Sequence, residues 1–252
     1  MRAWVRAIVP LRLRLWVRAQ QRRWRLQWPR AGSVDFGALR RVQPLSRLVG
    51  FERGLPLDRY YIEGFLTAHA ADVRGHVLEF GDDTYARRFG DTRVTACAVL
   101  HATAGNPQAT IVADLGAVTT TLPENRFDCI ICIQTLQMIY DVRTALGHVH
   151  TMLKPGGVLL LTAHGISRIT RHAGVDPWGE YWHFTTQSLR RLLRETMPAA
   201  AVEVAAHGNV LTAIALLHGL AAEELTADEL QYRHPDYEVV ITARVVKATT
   251  AR

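Results

Sequence analysis

Seven short runs rich in aliphatic and β-branched residues, at 77–80, 93–100, 110–113, 127–133, 157–163, 202–206 and 237–246, recur through the last two-thirds of the chain, with helical patterns between most of them. This alternation constrains the fold strongly. Parallel strands need crossovers, and crossovers on both sides cover both faces of a sheet, so its central strands read as unbroken apolar runs. Cys129-Ile-Ile-Cys-Ile133 is such a run. The pattern predicts an α/β domain over 73–252, with a mainly parallel sheet and helices on both faces. Sheets of this kind gather ligands at the carboxyl ends of their strands, near the point where the strand order reverses.

The ends of these runs carry the most specific residues. Val77-Leu78-Glu79-Phe80 leads into the acidic turn Gly81-Asp82-Asp83-Thr84-Tyr85. About thirty residues on comes Ile111-Val-Ala-Asp114-Leu115, then Arg126-Phe127-Asp128 opening the run that ends before Gln134-Thr135-Leu136-Gln137, and finally Leu153-Lys154-Pro155-Gly156-Gly157-Val158. Cys129 and Cys132 have the spacing of a metal or redox pair, but in a strand positions three apart point to opposite faces, so both read as buried thiols. Phosphate cradles, serine triads and zinc spacings find no support, and no metal is expected.

In this order and spacing the motifs resemble the class I S-adenosylmethionine-dependent methyltransferases, and within them the small-molecule group labelled type 11. The resemblance covers about 73–247, while the flanks at 53–63 and 178–185 are similar to a bacterial subgroup found near glycan and natural-product genes. It implies a seven-stranded, mostly parallel Rossmann-like sheet whose last strand is antiparallel. It also implies S-adenosylmethionine as cofactor and a small-molecule or glycan acceptor. Carried over residue by residue, Glu79 and Gly81 would bracket the turn at the methionine end of the cofactor, Asp114 and Leu115 would face the adenine, and Gln134 would line the mouth beneath the sulfonium. Arg59 and Tyr60 would close over the cofactor, with Arg59 pairing its carboxylate; the alternative is a helix start whose tyrosines pack on the sheet. Asp128 reads as structural at a strand start, and the Lys-Pro-Gly-Gly turn as a structural signature.

The chain departs from the family pattern in two places. Asp83 and Tyr85 stand where the first turn usually carries glycines, so side chains are expected in that space, and the stretch Ala96-Cys97-Ala98-Val99 lacks the acid that usually grips the ribose. Two readings follow: an enzyme in which Asp82 or Asp83 takes over a polar contact, or a catalytically silent methyltransferase-like binding or scaffold subunit. Methyl transfer needs a general base only for an unactivated hydroxyl. His164, His172, Glu180 and His183 lie where such a base belongs, and His183, within Trp-His-Phe-Thr, is the expected catalytic residue.

Charge bears on partners. The net charge is +7, yet nine arginines and no acidic residue fall in residues 1–30, which leaves the remainder close to neutral. That argues against nucleic acid, whose reader would carry the basic footprint on the folded domain. Arginine also interrupts every apolar run of this arm, which excludes a secretory signal, and the chain reads as cytoplasmic. Leu13, Trp16, Val17, Trp24 and Trp28 would share one side of a helix among arginines, the composition of an interfacial helix at the inner face of a membrane, or of one packed on a protein partner. Residues 31–72 between arm and domain are turn-rich at first and read as a lid, with Asp58 capping a helix.

Overall fold

The computed structural model describes residues 10–24, 28–119, 121–169 and 179–249. It divides into two compact units, Met1–Gln43 and Pro44–Arg252. In the first, helix α1 (Leu11–Arg23) starts directly after Pro10. Trp24 and Trp28 lie beyond its last residue, so they do not share the helical face expected of them; Leu11, Leu13, Leu15 and Trp16 on the helix are exposed. No helix among the described residues is long and apolar enough to cross a membrane.

The second unit is built on a seven-stranded sheet: β1 (Gly75–Phe80), β2 (Val94–His101), β3 (Ile111–Val112), β4 (Phe127–Ile133), β5 (Leu153–His164), β6 (Ala201–His207) and β7 (Val240–Val246). The spatial order is β3-β2-β1-β4-β5-β7-β6, with β7 antiparallel to both neighbours and the other pairings parallel. Each of the seven expected runs is a strand. The order reverses between β1 and β4, where crossovers leave for opposite faces and their diverging loops open a crevice.

Both faces are covered, as the unbroken apolar strands require. Ile130 and Cys132 of β4 join one buried cluster with α3 (Val142–Met152) and α4 (Thr186–Thr196), and Cys129 and Ile131 join the other with α2 (Leu57–Ala68) and α5 (Val210–His218). The two thiols therefore face opposite sides and are free and buried. Helix α2 lies in the segment read as a lid, yet Leu57, Ile62 and Leu66 are fully buried, which makes it part of the sheet's cover. Pro56 occupies its N-cap position, and Asp58 sits inside the first turn rather than capping it.

Two details lock the amino ends of the strands, opposite the crevice. The Asp128 carboxylate accepts the His76 N–H and the Lys154 ammonium, both at 2.8 Å, the structural role read for it. The Lys-Pro-Gly-Gly segment is an excursion within β5, since three residues of β4 (Phe127 to Cys129) span the same register as six of β5 (Leu153 to Val158). Gly156 supplies the positive φ of 78° there. Gly157 is needed for a different reason: a Cβ would lie 2.9 Å from the carbonyl oxygens of both Lys154 and Phe127.

Candidate functional site

A cavity of about 610 Å³ opens at the carboxyl ends of β1 to β4, within the size range of small-molecule and cofactor sites. Phe80 and Gly81 line it after β1, Leu100 to Thr103 after β2, Ala113 to Gly116 after β3, and Ile133, Thr135 and Met138 to Asp141 after β4, with Tyr181 at the lip. Of the residues expected to bind cofactor, Gly81, Asp114 and Leu115 are brought together here.

The others are placed elsewhere. Glu79 is buried, and its carboxylate accepts the backbone N–H groups of Tyr85 and Ala86, so it holds the turn after β1 instead of reaching the cavity. Burial pushes its carboxyl up to about 7. Asp82 accepts the Thr84 N–H, and Asp83 pairs with Arg87 one helical turn on. Tyr85 turns toward the opposite face, where its hydroxyl takes a hydrogen bond from Arg59 at 2.9 Å and its ring contacts Phe89. Neither Asp83 nor Tyr85 lines the cavity, which departs from the expectation that their side chains fill the space of the missing glycines. Arg59 is thus engaged with Tyr85, while Tyr60 packs against Tyr61 and lines a separate groove between α2 and β6. Gln134, at a φ of 48°, is nine-tenths buried between the lining residues Ile133 and Thr135. Its Nε2 is a buried donor without a partner; its carbonyl oxygen accepts from Gln137.

Strand β2 ends at His101, one residue beyond the expected run 93–100, and the lip is formed by His101, Ala102 and Thr103. No acid stands there, and His101 and Thr103 are the polar residues at this lip. Sequence reasoning missed His101, which lies one residue past the apolar run of β2, and Thr103, Met138, Tyr140 and Tyr181, which lie in connections that carry no strand periodicity. Tyr140, Tyr181 and Trp182 form an aromatic group at the rim, with ring centroids 5.4 and 6.0 Å from Tyr140.

The donor set fits S-adenosylmethionine. Among the described lining residues there are two carboxylates, Asp114 and Asp141, and no Arg or Lys, a balance that favours a cationic ligand. Gly81, at a φ of 90°, leaves open the volume that a Cβ would enter, so backbone can approach a ligand at the first turn. The Gly81 carbonyl is held by the Asn106 amide at 2.6 Å, which ties the first turn to the loop after β2.

Three candidate bases also converge. His164 ends β5, and its Nδ1 lies 2.8 Å from Glu180 Oε1; His183 Nε2 lies 3.6 Å from the same oxygen. The segment bearing Glu180 and His183 is fastened to the cavity's β4 loop, because the Tyr181 and Trp182 N–H groups donate to the Gln137 carbonyl, and the Trp182 indole donates to the carbonyls of Ile139 and Tyr140. His172 and Trp178 lie outside the described residues.

A doubly wound sheet in the order 3-2-1-4-5-7-6, with an acid- and glycine-lined cavity at its switch point, defines a Rossmann-like domain that binds a nucleoside cofactor. Residues 51–221 match the methyltransferase-domain family, and the chain belongs to it: it is a class I S-adenosylmethionine-dependent methyltransferase. No curated protein matches the sequence. Among solved structures the chain is similar to the YcgJ protein of Bacillus subtilis (14% identity, covering 74% of this chain and 99% of that one, TM-score 0.44). It is also similar to an S-adenosylmethionine-dependent methyltransferase of Mesorhizobium loti (16%, 76% and 98%, 0.47). A third is the N-methyltransferase NodS of Bradyrhizobium japonicum (15%, 77% and 97%, 0.47).

Proposed function

We propose that this methyltransferase acts on a hydroxyl or similar nucleophile of a glycan, a lipid-linked sugar or a secondary metabolite. The observation that carries the reading is the His164–Glu180–His183 cluster beside the cofactor cavity. A sulfonium methyl is already activated, so a thiolate or amine acceptor would need little beyond positioning, whereas a hydroxyl must lose its proton on the way to product. The cluster handles that proton, and His183, with a side chain 35% accessible, is its most exposed member. The aromatic rim of Tyr140, Tyr181 and Trp182 suits the apolar face of a ring-shaped acceptor.

When bound, S-adenosylmethionine supplies the methyl group. The chain's own residues do the rest: the Gly81 turn receives the methionine end, His101 and Thr103 the sugar, Asp114 and Leu115 the adenine. Calorimetry with S-adenosylhomocysteine tests the cofactor assignment. Binding in the micromolar range, weakened about tenfold or more by Asp114→Ala, is expected from loss of one charge-assisted contact; absence of heat at high protein concentration overturns it. Methyl transfer to a panel of sugars, phenols and amines tests the acceptor class, which is wrong if only amines or thiols are methylated.

We further propose that residues 1–30 hold the protein at the inner face of a membrane. Arg12, Arg14 and Arg18 alternate on α1 with exposed Leu11, Leu13, Leu15 and Trp16, a composition suited to an anionic interface. Flotation of the full chain with anionic vesicles should fall sharply when these three arginines are changed to Glu, and equal flotation excludes the arm.

A further inference from the structure

Two imidazoles and a carboxylate converge at the carboxyl end of β5. Each offers one ligand atom, and these atoms all lie within 4.8 Å of one another. The Glu180 side chain is 2% accessible and that of His164 10%. A first-row divalent cation bonded at about 2.1 Å sets its ligand atoms about 3 Å apart at an octahedral right angle, about 3.5 Å apart in a tetrahedron and about 4.2 Å apart across an octahedron. The separations of 2.8 Å and 3.6 Å from Glu180 to the two histidines fall on this scale. The remaining pair, the two imidazole nitrogens, lies within 4.8 Å.

We propose that His164, Glu180 and His183 form a binding site for a divalent transition-metal ion that takes the acceptor's oxygen. The inference rests on the proposed hydroxyl chemistry and deepens it. Two imidazoles with one carboxylate suit Mn²⁺, Fe²⁺ or Zn²⁺ better than Mg²⁺, and three protein ligands leave coordination positions open, as in catalytic rather than structural sites. The site is also anchored from both sides: the Phe184 N–H donates to the His164 carbonyl at 2.7 Å, and the Tyr181 N–H to the Gln137 carbonyl at 2.8 Å. The buried Glu180 carboxylate gains a full compensating charge when the ion binds.

The acceptor class narrows accordingly. An oxygen held by the ion is acidified, and open positions beside one another favour an acceptor with two adjacent oxygens, a vicinal diol or a hydroxy-carbonyl group. With the ion bound, the two ligating imidazole nitrogens no longer act as bases, so the acidified acceptor hydroxyl releases its proton to bulk water. Its oxygen lone pair forms the new bond to the methyl carbon as the carbon–sulfur bond breaks, with that electron pair leaving on sulfur. No oxidant or reductant is consumed.

The test is a Mn²⁺ titration of the full chain followed by electron paramagnetic resonance of the free ion, with Zn²⁺ competition. One equivalent should bind, and Glu180→Gln, His164→Ala and His183→Ala should each weaken binding at least tenfold. His183→Ala alters the most exposed ligand, so its fold is expected to survive if the buried variants misfold. S-adenosylhomocysteine binding should be unchanged in every folded variant. No binding of either ion at millimolar concentration, or binding that survives both Glu180→Gln and His183→Ala, overturns the cation site. Mn²⁺ binding without S-adenosylhomocysteine binding leaves the cation site standing and refutes the cofactor assignment instead; the reverse pattern refutes the cation site alone.

Discussion

The carboxylate of Glu79, at the end of β1, accepts the backbone N–H of Ala86 at 2.7 Å and that of Tyr85 at 3.1 Å. A side chain from the strand thereby satisfies donors of the helical turn that follows, seven residues on, and sets the curve of the Gly81 turn between them. The contact is made in a buried place, and desolvation outweighs the two hydrogen bonds, so the carboxyl titrates near 7.

This makes stability depend on pH in a defined direction. The folded state holds the Glu79 proton up to about pH 7, while the unfolded chain releases it near the ordinary 4.5. The group therefore contributes stability at low pH that is lost as pH rises between those values, by about 3 kcal/mol in full. Glu79→Gln keeps one acceptor and removes the titration. Urea unfolding at pH 5 and pH 8 should show the variant gaining on the parent as pH rises; a constant difference between them at both pH values would exclude the shift.

His207 on β6 gives the opposite slope. Burial, with the Arg233 charge nearby, lowers its pKa to about 4, and its Nε2 lies 3.1 Å from Thr242 Oγ1. The neutral ring is the folded form, so its contribution is complete above pH 6.5 and is lost as pH falls toward 4, about 2 to 3 kcal/mol. His207→Gln should unfold less readily than the parent at pH 4.5 relative to pH 7.5, as read by thermal melting at the two pH values.

Burial on both sheet faces made the fold legible in the sequence. Strand β4 needs apolar residues at every position from Cys129 to Ile133, and this leaves a signal that composition alone carries. The site was legible only where backbone fixes it. Gly81 follows β1 directly and Asp114 stands two residues past β3, and their positions follow from the strands. Glu79 and Tyr85 misled because orientation decides their roles: Glu79 serves N–H groups six and seven residues away, and Tyr85 turns to Arg59 on another helix. His101 was missed because β2 continues beyond its apolar stretch, and Tyr181 because only the backbone bond to Gln137 brings it to the cavity. The convergence of His164 with Glu180, sixteen residues apart, belongs to tertiary structure and has no spacing signature.

Two glycines separate close approach from conformational freedom. A Cβ at Gly157 meets two carbonyl oxygens at 2.9 Å, whereas a Cβ at Gly147, inside α3, meets nothing within 4 Å. Gly157→Ala should cost about 2 kcal/mol or more through forced separation of β5 from β4. Gly147→Ala should stabilise by about 0.5 to 1 kcal/mol, since alanine restricts the unfolded chain and favours helix. Denaturant titrations of both variants check the pair, and a stabilised Gly157→Ala would show that the excursion in β5 relaxes freely.

Gly81 tests whether the first turn serves the cofactor. Its φ of 90° is strained for any L side chain, and the position of its Cβ is open. Gly81→Val therefore has two effects that can be measured apart. Backbone strain lowers stability by about 1 to 2 kcal/mol, visible as a lower melting temperature. The branched side chain also enters the volume through which a ligand would approach the turn, so S-adenosylhomocysteine binding should weaken by far more than the stability change accounts for, tenfold or greater at a temperature where the variant is fully folded. Gly81→Ala should show most of the strain with less of the obstruction. If Gly81→Val binds as tightly as the parent, the open space at this turn is not the cofactor's, and the cavity at the ends of β1 to β4 must receive its ligand from the β2 and β3 side alone.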